Sequence, residues 1–120
     1  MNFDTKQNNE SATVVSLVEK LDTTNAPDLK TEFVVLNKDG VNNIIFDLSK
    51  TKYCDSSGLS AILVGNRTCR NSSGHFILCG LQKGVEKLIE ISQLNRVLPI
   101  AKDEEEAKEL LDKLQSESVS

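Results

Sequence analysis

The stretch that most constrains this chain places a buried strand, a polar corner and a buried helix in close succession. The run Asn43-Ile44-Ile45-Phe46-Asp47-Leu48 is short, apolar and β-branched, the pattern of a strand covered on both faces. Leu59-Ser60-Ala61-Ile62-Leu63-Val64-Gly65 reads as a buried helix. Between them lies Cys54-Asp55-Ser56-Ser57-Gly58. Asp55 is a good N-cap, because its carboxylate can accept from the free N–H groups of the first helical turn. Ser56 and Ser57 fall in that turn, at the carboxyl end of a strand, the edge where open α/β sheets usually build their sites.

A hydroxyl in that place has a particular use. A phosphate on Ser56 would sit at the positive end of the helix dipole, near unpaired backbone donors, and the helix would tolerate it. A partner docked over the same spot would not tolerate a new charge of about −1.5 to −2. The position can therefore carry a binding switch that leaves the fold alone. The plainer alternative is that two serines simply begin a helix.

The rest of the chain alternates in the same manner. Phe3–Lys6 and Ala12–Val18 are strand-like around a polar turn and suggest a hairpin. After a polar break at 22–25, Asn25 is expected to cap a helix, with Asp28 as its capping-box partner and Pro27 in the first turn. Leu29, Phe33 and Leu36 recur at helical spacing, and Lys38-Asp39-Gly40 ends that helix. The helix after the serines carries Leu59, Ile62 and Leu63 on one face and Ala61 and Val64 on another; the second is either core or a docking surface beside Ser56. It breaks at Asn71–Gly74, and His75–Cys79 is the next buried strand. Val85, Leu88 and Ile89 follow at helical spacing, with Leu94 and Val97 extending the apolar set. Leu98–Ala101 reads as a short last strand, placed at a sheet edge by Pro99. Asp103, with Glu106 in box position, caps a final helix whose stripe is Ala107, Leu110, Leu111 and Leu114; residues 115–120 are expected to fray. This is an α/β pattern: one domain over 1–120, with a small, mixed, mostly parallel sheet and about four helices.

Asp47-Leu48-Ser49, followed by Cys54-Asp55-Ser56-Ser57-Gly58-Leu59, resembles the signature of the STAS domain, in particular that of bacterial anti-sigma factor antagonists. Leu21-Asp22, Leu78-Cys79-Gly80-Leu81 and Leu94–Ile100 fall where that pattern would put them. The resemblance implies a STAS-like fold and a non-catalytic module. Unphosphorylated, the module would bind a serine-kinase anti-sigma factor and free a sigma factor. The kinase would phosphorylate Ser56 and break the complex, and a metal-dependent serine phosphatase would restore it. Asp22, Asp55, Ser57 and Gly58 would shape or flank the contact. The resemblance leaves a second function open, that of a constitutive scaffold subunit in a transport or sensory complex. One departure stands out: the glycine common before the Leu-Asp pair is replaced by Glu19-Lys20. It falls in the loop after the second strand and bears on any partner contact made there.

Other chemistry is poorly supported. A net charge of −4 and 4% aromatic residues supply neither a basic stripe nor stacking platforms, which argues against nucleic acid. No apolar run reaches membrane-span length and the start lacks a secretion signal, so a cytoplasmic location is the expectation. The sequence does not show the oligomeric state, and a monomer is the default. Three scattered cysteines fit reduced thiols. Cys54, beside a helix start, is either a thiol with a lowered pKa or a small buried residue. Ser56, His75 and Asp47 could be drawn as a hydrolytic triad, but no Gly-x-Ser-x-Gly elbow surrounds the serine. No spacing suits a zinc site, and neither cofactor nor metal is expected.

Overall fold

Alternation of buried side chains along the central strands decides how the layers stack. The computed structural model describes residues 2–119, with side chains through Ser116. In chain order the elements are β1 (Phe3–Asn8), β2 (Ser11–Ser16), β3 (Lys20–Leu21), α1 (Ala26–Lys38), β4 (Asn43–Asp47), β5 (Tyr53–Cys54), α2 (Ser56–Asn71), β6 (Phe76–Cys79), α3 (Lys83–Ile91), β7 (Ile100–Ala101) and α4 (Glu104–Val119). A single 3₁₀ turn, Leu94–Arg96, joins α3 to β7. The main sheet runs β1-β2-β4-β6-β7; the β1/β2 hairpin is antiparallel and the remaining pairs are parallel. The expected mixed, mostly parallel sheet and helix set are present.

Because side chains alternate across a strand, β4 and β6 feed two cores. Ile44, Phe46, Phe76 and Leu78 pack with α1, α2 and α3, while Ile45, Ile77 and Cys79 pack with Ala107 and Leu111 of α4. α4 alone covers the second face. At its start the Asp103 carboxylate accepts from Glu106 N at 2.9 Å, and Glu106 reaches back to Lys102 N at 3.1 Å. The Asp103 cap is as expected, and only the return bond from Glu106 lands one residue further out, on Lys102 rather than Asp103. β7 lies at the sheet edge, as Pro99 suggested. The backbone of α4 is helical to Val119; the expected loose end reaches Ser120, which lies outside the described residues.

Three local expectations are corrected. Asn25 occupies the N-cap position of α1 but makes no capping bond and forms no box with Asp28. Its amide instead accepts from Asp22 N and donates to Lys20 O, because the loop before the helix has backbone groups of its own to satisfy. The inward stripe of α2 is Gly58, Ala61, Ile62, Gly65 and Cys69, so Ile62 belongs with Ala61, while Leu63 is 37% exposed. Pattern counting weighs large apolar side chains and misses glycine. At Gly65 a Cβ would lie 2.5 Å from the Phe76 ring, so the absent side chain is what brings the helix down onto the sheet. Val97 does not extend the α3 stripe; it is 53% exposed, since the 3₁₀ turn rotates it outward after Leu94.

One buried acidic contact bears on stability. Asp47 ends β4 on the α4 side and is hydrogen-bonded to Glu104 in the first turn of α4. Burial opposes the charged form of Asp47, yet the bonds from Glu104 and from Ser49 N outweigh it and hold its carboxyl below the ordinary 3.8. Glu104 is pushed above its ordinary 4.5, first by the bond to Asp47 and then by burial. Stability from the Glu104 proton is therefore complete at pH below its unfolded value and is lost as pH rises through the higher folded value. Asp47 behaves oppositely, losing its contribution as pH falls through its depressed value. Glu104→Gln keeps a donor toward Asp47 without the charge. We expect it to flatten the stability loss just above pH 4.5 and to raise neutral-pH stability by about 0.5 kcal/mol, a figure discounted for solvent screening. Thermal melts from pH 4 to pH 8 check this (~ range set by the carboxyl values).

Candidate functional site

A second, very small sheet assembles the site. Chain segments β3 and β5 pair in parallel, Lys20 opposite Tyr53 and Leu21 opposite Cys54. Asp22 follows the first strand and Asp55 the second, so the register sets these carboxylates side by side. Asp55 N donates to Leu21 O at 3.1 Å and closes the pairing. Together they line one shallow hollow with Lys20, Leu21, Tyr53 and Cys54.

The approach to this sheet is also held. The buried Thr51 hydroxyl sits 2.7 Å from Ser16 Oγ and 2.8 Å from Val18 O, tying the loop before β5 to the end of β2. Glu19 O accepts from Lys52 N and Tyr53 N. The Glu19-Lys20 pair that departs from the family pattern is therefore ordered: Glu19 Oε1 lies 3.8 Å from Lys52 Nζ, and Lys20 Nζ lies 5.8 Å from the Tyr53 ring centroid. Both contacts are at the surface and contribute little to stability. Tyr53 is 57% exposed, and sequence reading did not single it out. Its signal was weak, since a two-residue strand has no periodicity to detect.

The helix start is as expected. Asp55 caps α2, its Oδ1 accepting from Ser57 N at 2.9 Å and Gly58 N at 3.1 Å. Such a cap contributes about 1 kcal/mol. Gly58 is buried because a Cβ there would meet Cys54 Sγ at 2.6 Å and Leu21 at 2.8 Å. Its lack of a side chain seats the helix start on the small sheet. Ser56 is the first residue of α2; it is exposed, and among the described residues its hydroxyl makes no hydrogen bond. Ser57 is half-buried in the same turn. Leu59, Ser60 and Leu63 lie on the Ser56 side of the helix by their three- and four-residue spacing. Asp22 is braced by Thr24, whose hydroxyl and N–H reach its Oδ1 at 2.6 and 3.0 Å and, in that order, hold the carboxyl below its ordinary value.

The other candidates separate. The Cys54 thiol is pushed up to about 12, by burial first and then by the Asp55 charge. Burial outweighs the helix start, so the thiol is not activated. The triad does not assemble: His75 precedes β6 at the amino end of the sheet, Asp47 closes β4 at the carboxyl end facing α4, and Ser56 lies on the α1 side. Among the described residues no group of Cys, His, Asp and Glu gathers to hold a metal, and no helix is long and apolar enough to cross a membrane.

Comparison with known proteins agrees with this fold. The STAS domain family model matches residues 2–107. A protein named as an anti-sigma factor antagonist, BtrV of Bordetella bronchiseptica, is 30% identical over 83 residues, 69% of this chain and 72% of BtrV. A crystal structure from Thermotoga maritima, named as an anti-sigma factor antagonist, superposes with a TM-score of 0.81 at 26% identity, covering 92% of this chain and 94% of that one. The anti-sigma factor antagonist SpoIIAA, in its unphosphorylated form, shares the fold with a TM-score of 0.79 at 22% identity, over 95% and 96% of the two chains. On the match over residues 2–107, this chain belongs to the STAS domain family.

Proposed function

We propose that this chain is an anti-sigma factor antagonist whose partner is a serine-kinase anti-sigma factor. With Ser56 unmodified, the face around the start of α2 binds the kinase and keeps it from its sigma factor. The kinase then transfers the terminal phosphoryl group of ATP to Ser56. A bond forms between Ser56 Oγ and phosphorus, the bond to the ADP leaving group breaks, and the hydroxyl proton passes to a base on the kinase. The new charge dissociates the pair, and a serine phosphatase resets the hydroxyl by hydrolysis. This chain supplies the acceptor and the docking face, not the catalysis.

The observation that carries this reading is the exposed, unbonded Ser56 hydroxyl on a helix start held by Asp55. Asp22, Ser57 and Gly58 flank it, and Leu59, Leu63 and Tyr53 supply partly exposed apolar area nearby. The relatives named above as anti-sigma factor antagonists support the partner class, and SpoIIAA has been solved in both unphosphorylated and phosphorylated forms.

Incubation with the cognate kinase and ATP is the test. Peptide mass spectrometry should find one phosphate, on Ser56, and none in Ser56→Ala, which should stay folded and bound to the kinase. A parent protein that takes up no phosphate and stays bound in the presence of ATP would identify a constitutive scaffold subunit instead.

A further inference from the structure

Ser56 lines one hollow and its neighbour Asp55 lines another, and the two differ in charge. The Asp55 hollow, of about 390 Å³, is lined by Asp22 and Asp55, with Lys20 and Tyr53 beside them. The Ser56 hollow, of about 290 Å³, lies between the starts of α1 and α2 and is lined by Ser56, Ser57, Ser60, Thr23, Pro27 and Lys30. Among the described residues, Lys30 is the only charged side chain lining this second hollow. It is half-buried, and the one ion pair among the described residues, Lys52 with Glu19, leaves it without a carboxylate. Lys20, by contrast, lies over the Tyr53 ring and shares its hollow with two carboxylates.

We propose that Lys30 is the intramolecular counter-ion of a phosphate on Ser56, drawing it into the cleft between α1 and α2 and away from Asp22 and Asp55. The proposal rests on the reading of Ser56 as phosphoacceptor. Ser56 itself lines the hollow that holds Lys30, while the next residue back, Asp55, lines the acidic one, so a phosphate on Ser56 is attracted on its own side and repelled from the other. α1 and α2 are packed through Phe33, Ile62 and Gly65, so the cleft exists without any closing movement. Pairing with an ammonium favours the dianion and lowers the second pKa of the phosphoserine. The modified site then keeps its full charge at neutral pH, in a fixed place on the docking face. A glutamate at 56 carries less charge and fewer acceptor oxygens, so it would use Lys30 less completely.

The test needs no kinase. Phosphoserine is installed at position 56 of the full chain by codon expansion, and its second pKa is followed by phosphorus NMR. We expect that pKa to be about half a unit higher in Lys30→Gln than in the parent, the size of a solvent-screened pair. Lys20→Gln should move it by clearly less. An unchanged value in Lys30→Gln, or a larger shift in Lys20→Gln, overturns the proposal. Because the phosphate is placed chemically, a kinase that ignores Ser56 would sink the functional reading while leaving this measurement decisive for Lys30.

Discussion

Ser56→Glu is expected to weaken binding to the proposed kinase partner by two to three orders of magnitude (~ the factor for 3–4 kcal/mol) and to leave the melting temperature almost unchanged. The two effects separate because Ser56 is exposed and is the first residue of α2. A carboxylate in the first turn of a helix is favourable by about 0.3–1 kcal/mol. Across the proposed interface the same charge would meet a surface fitted to a neutral hydroxyl, and any acidic group there would oppose it. Two like unit charges at about 4 Å, with an effective dielectric near 20, repel by roughly 4 kcal/mol. Titration calorimetry and thermal melts of the same preparations read both quantities. Affinity within threefold of the parent (about 0.6 kcal/mol) would remove Ser56 from the interface. A melting temperature that falls along with affinity would mean that the substitution acts through the fold.

Phe33→Ala should cost about 3–5 kcal/mol, the range for emptying a buried aromatic site, and lower the melting temperature by on the order of 10–20 °C. Phe33 is wholly buried, and its ring centroid lies 5.3 Å from those of Phe46 and Phe76, edge-on to both. It projects from α1 onto the centre of the sheet, beside Gly65 of α2. Two of its neighbours are aromatic rings and a third is the Gly65 backbone, which are poorly placed to move into the space. Because this contact joins α1 to α2, partner binding should weaken as well, through loss of the geometry around Ser56. Calorimetric unfolding checks the first effect, and binding measured well below the new melting temperature checks the second. A loss under about 1 kcal/mol would mean that the core can collapse around the gap.

Much of the architecture could be read from pattern alone. The β4 run, the Asp55 cap, the α1 stripe of Leu29, Phe33 and Leu36, and the Asp103–Glu106 start of α4 are local features. Each follows from side chains within a few residues of one another. The failures were also systematic. Asn25 left its capping role for loop contacts reaching five residues back, to Lys20 O. The α2 stripe was misassigned because glycines, not leucines, mark where the helix touches the sheet. The β3/β5 pair was missed because two-residue strands have no detectable period, and Thr51 because its partners lie more than thirty residues away.

The chain by itself thus determined where the longer strands and the helices fall and which hydroxyl stands at a helix start, since hydrophobic period and capping act over one or two turns. Only tertiary structure decided that Asp22 stands beside Asp55, that Thr51 ties down the approach to Tyr53, and that Lys30 shares a cleft with Ser56. Those residues are distant in sequence, and what joins them is strand register and the close approach permitted at Gly58 and Gly65. Register and close approach are properties of packed surfaces, and no short window of sequence contains both surfaces.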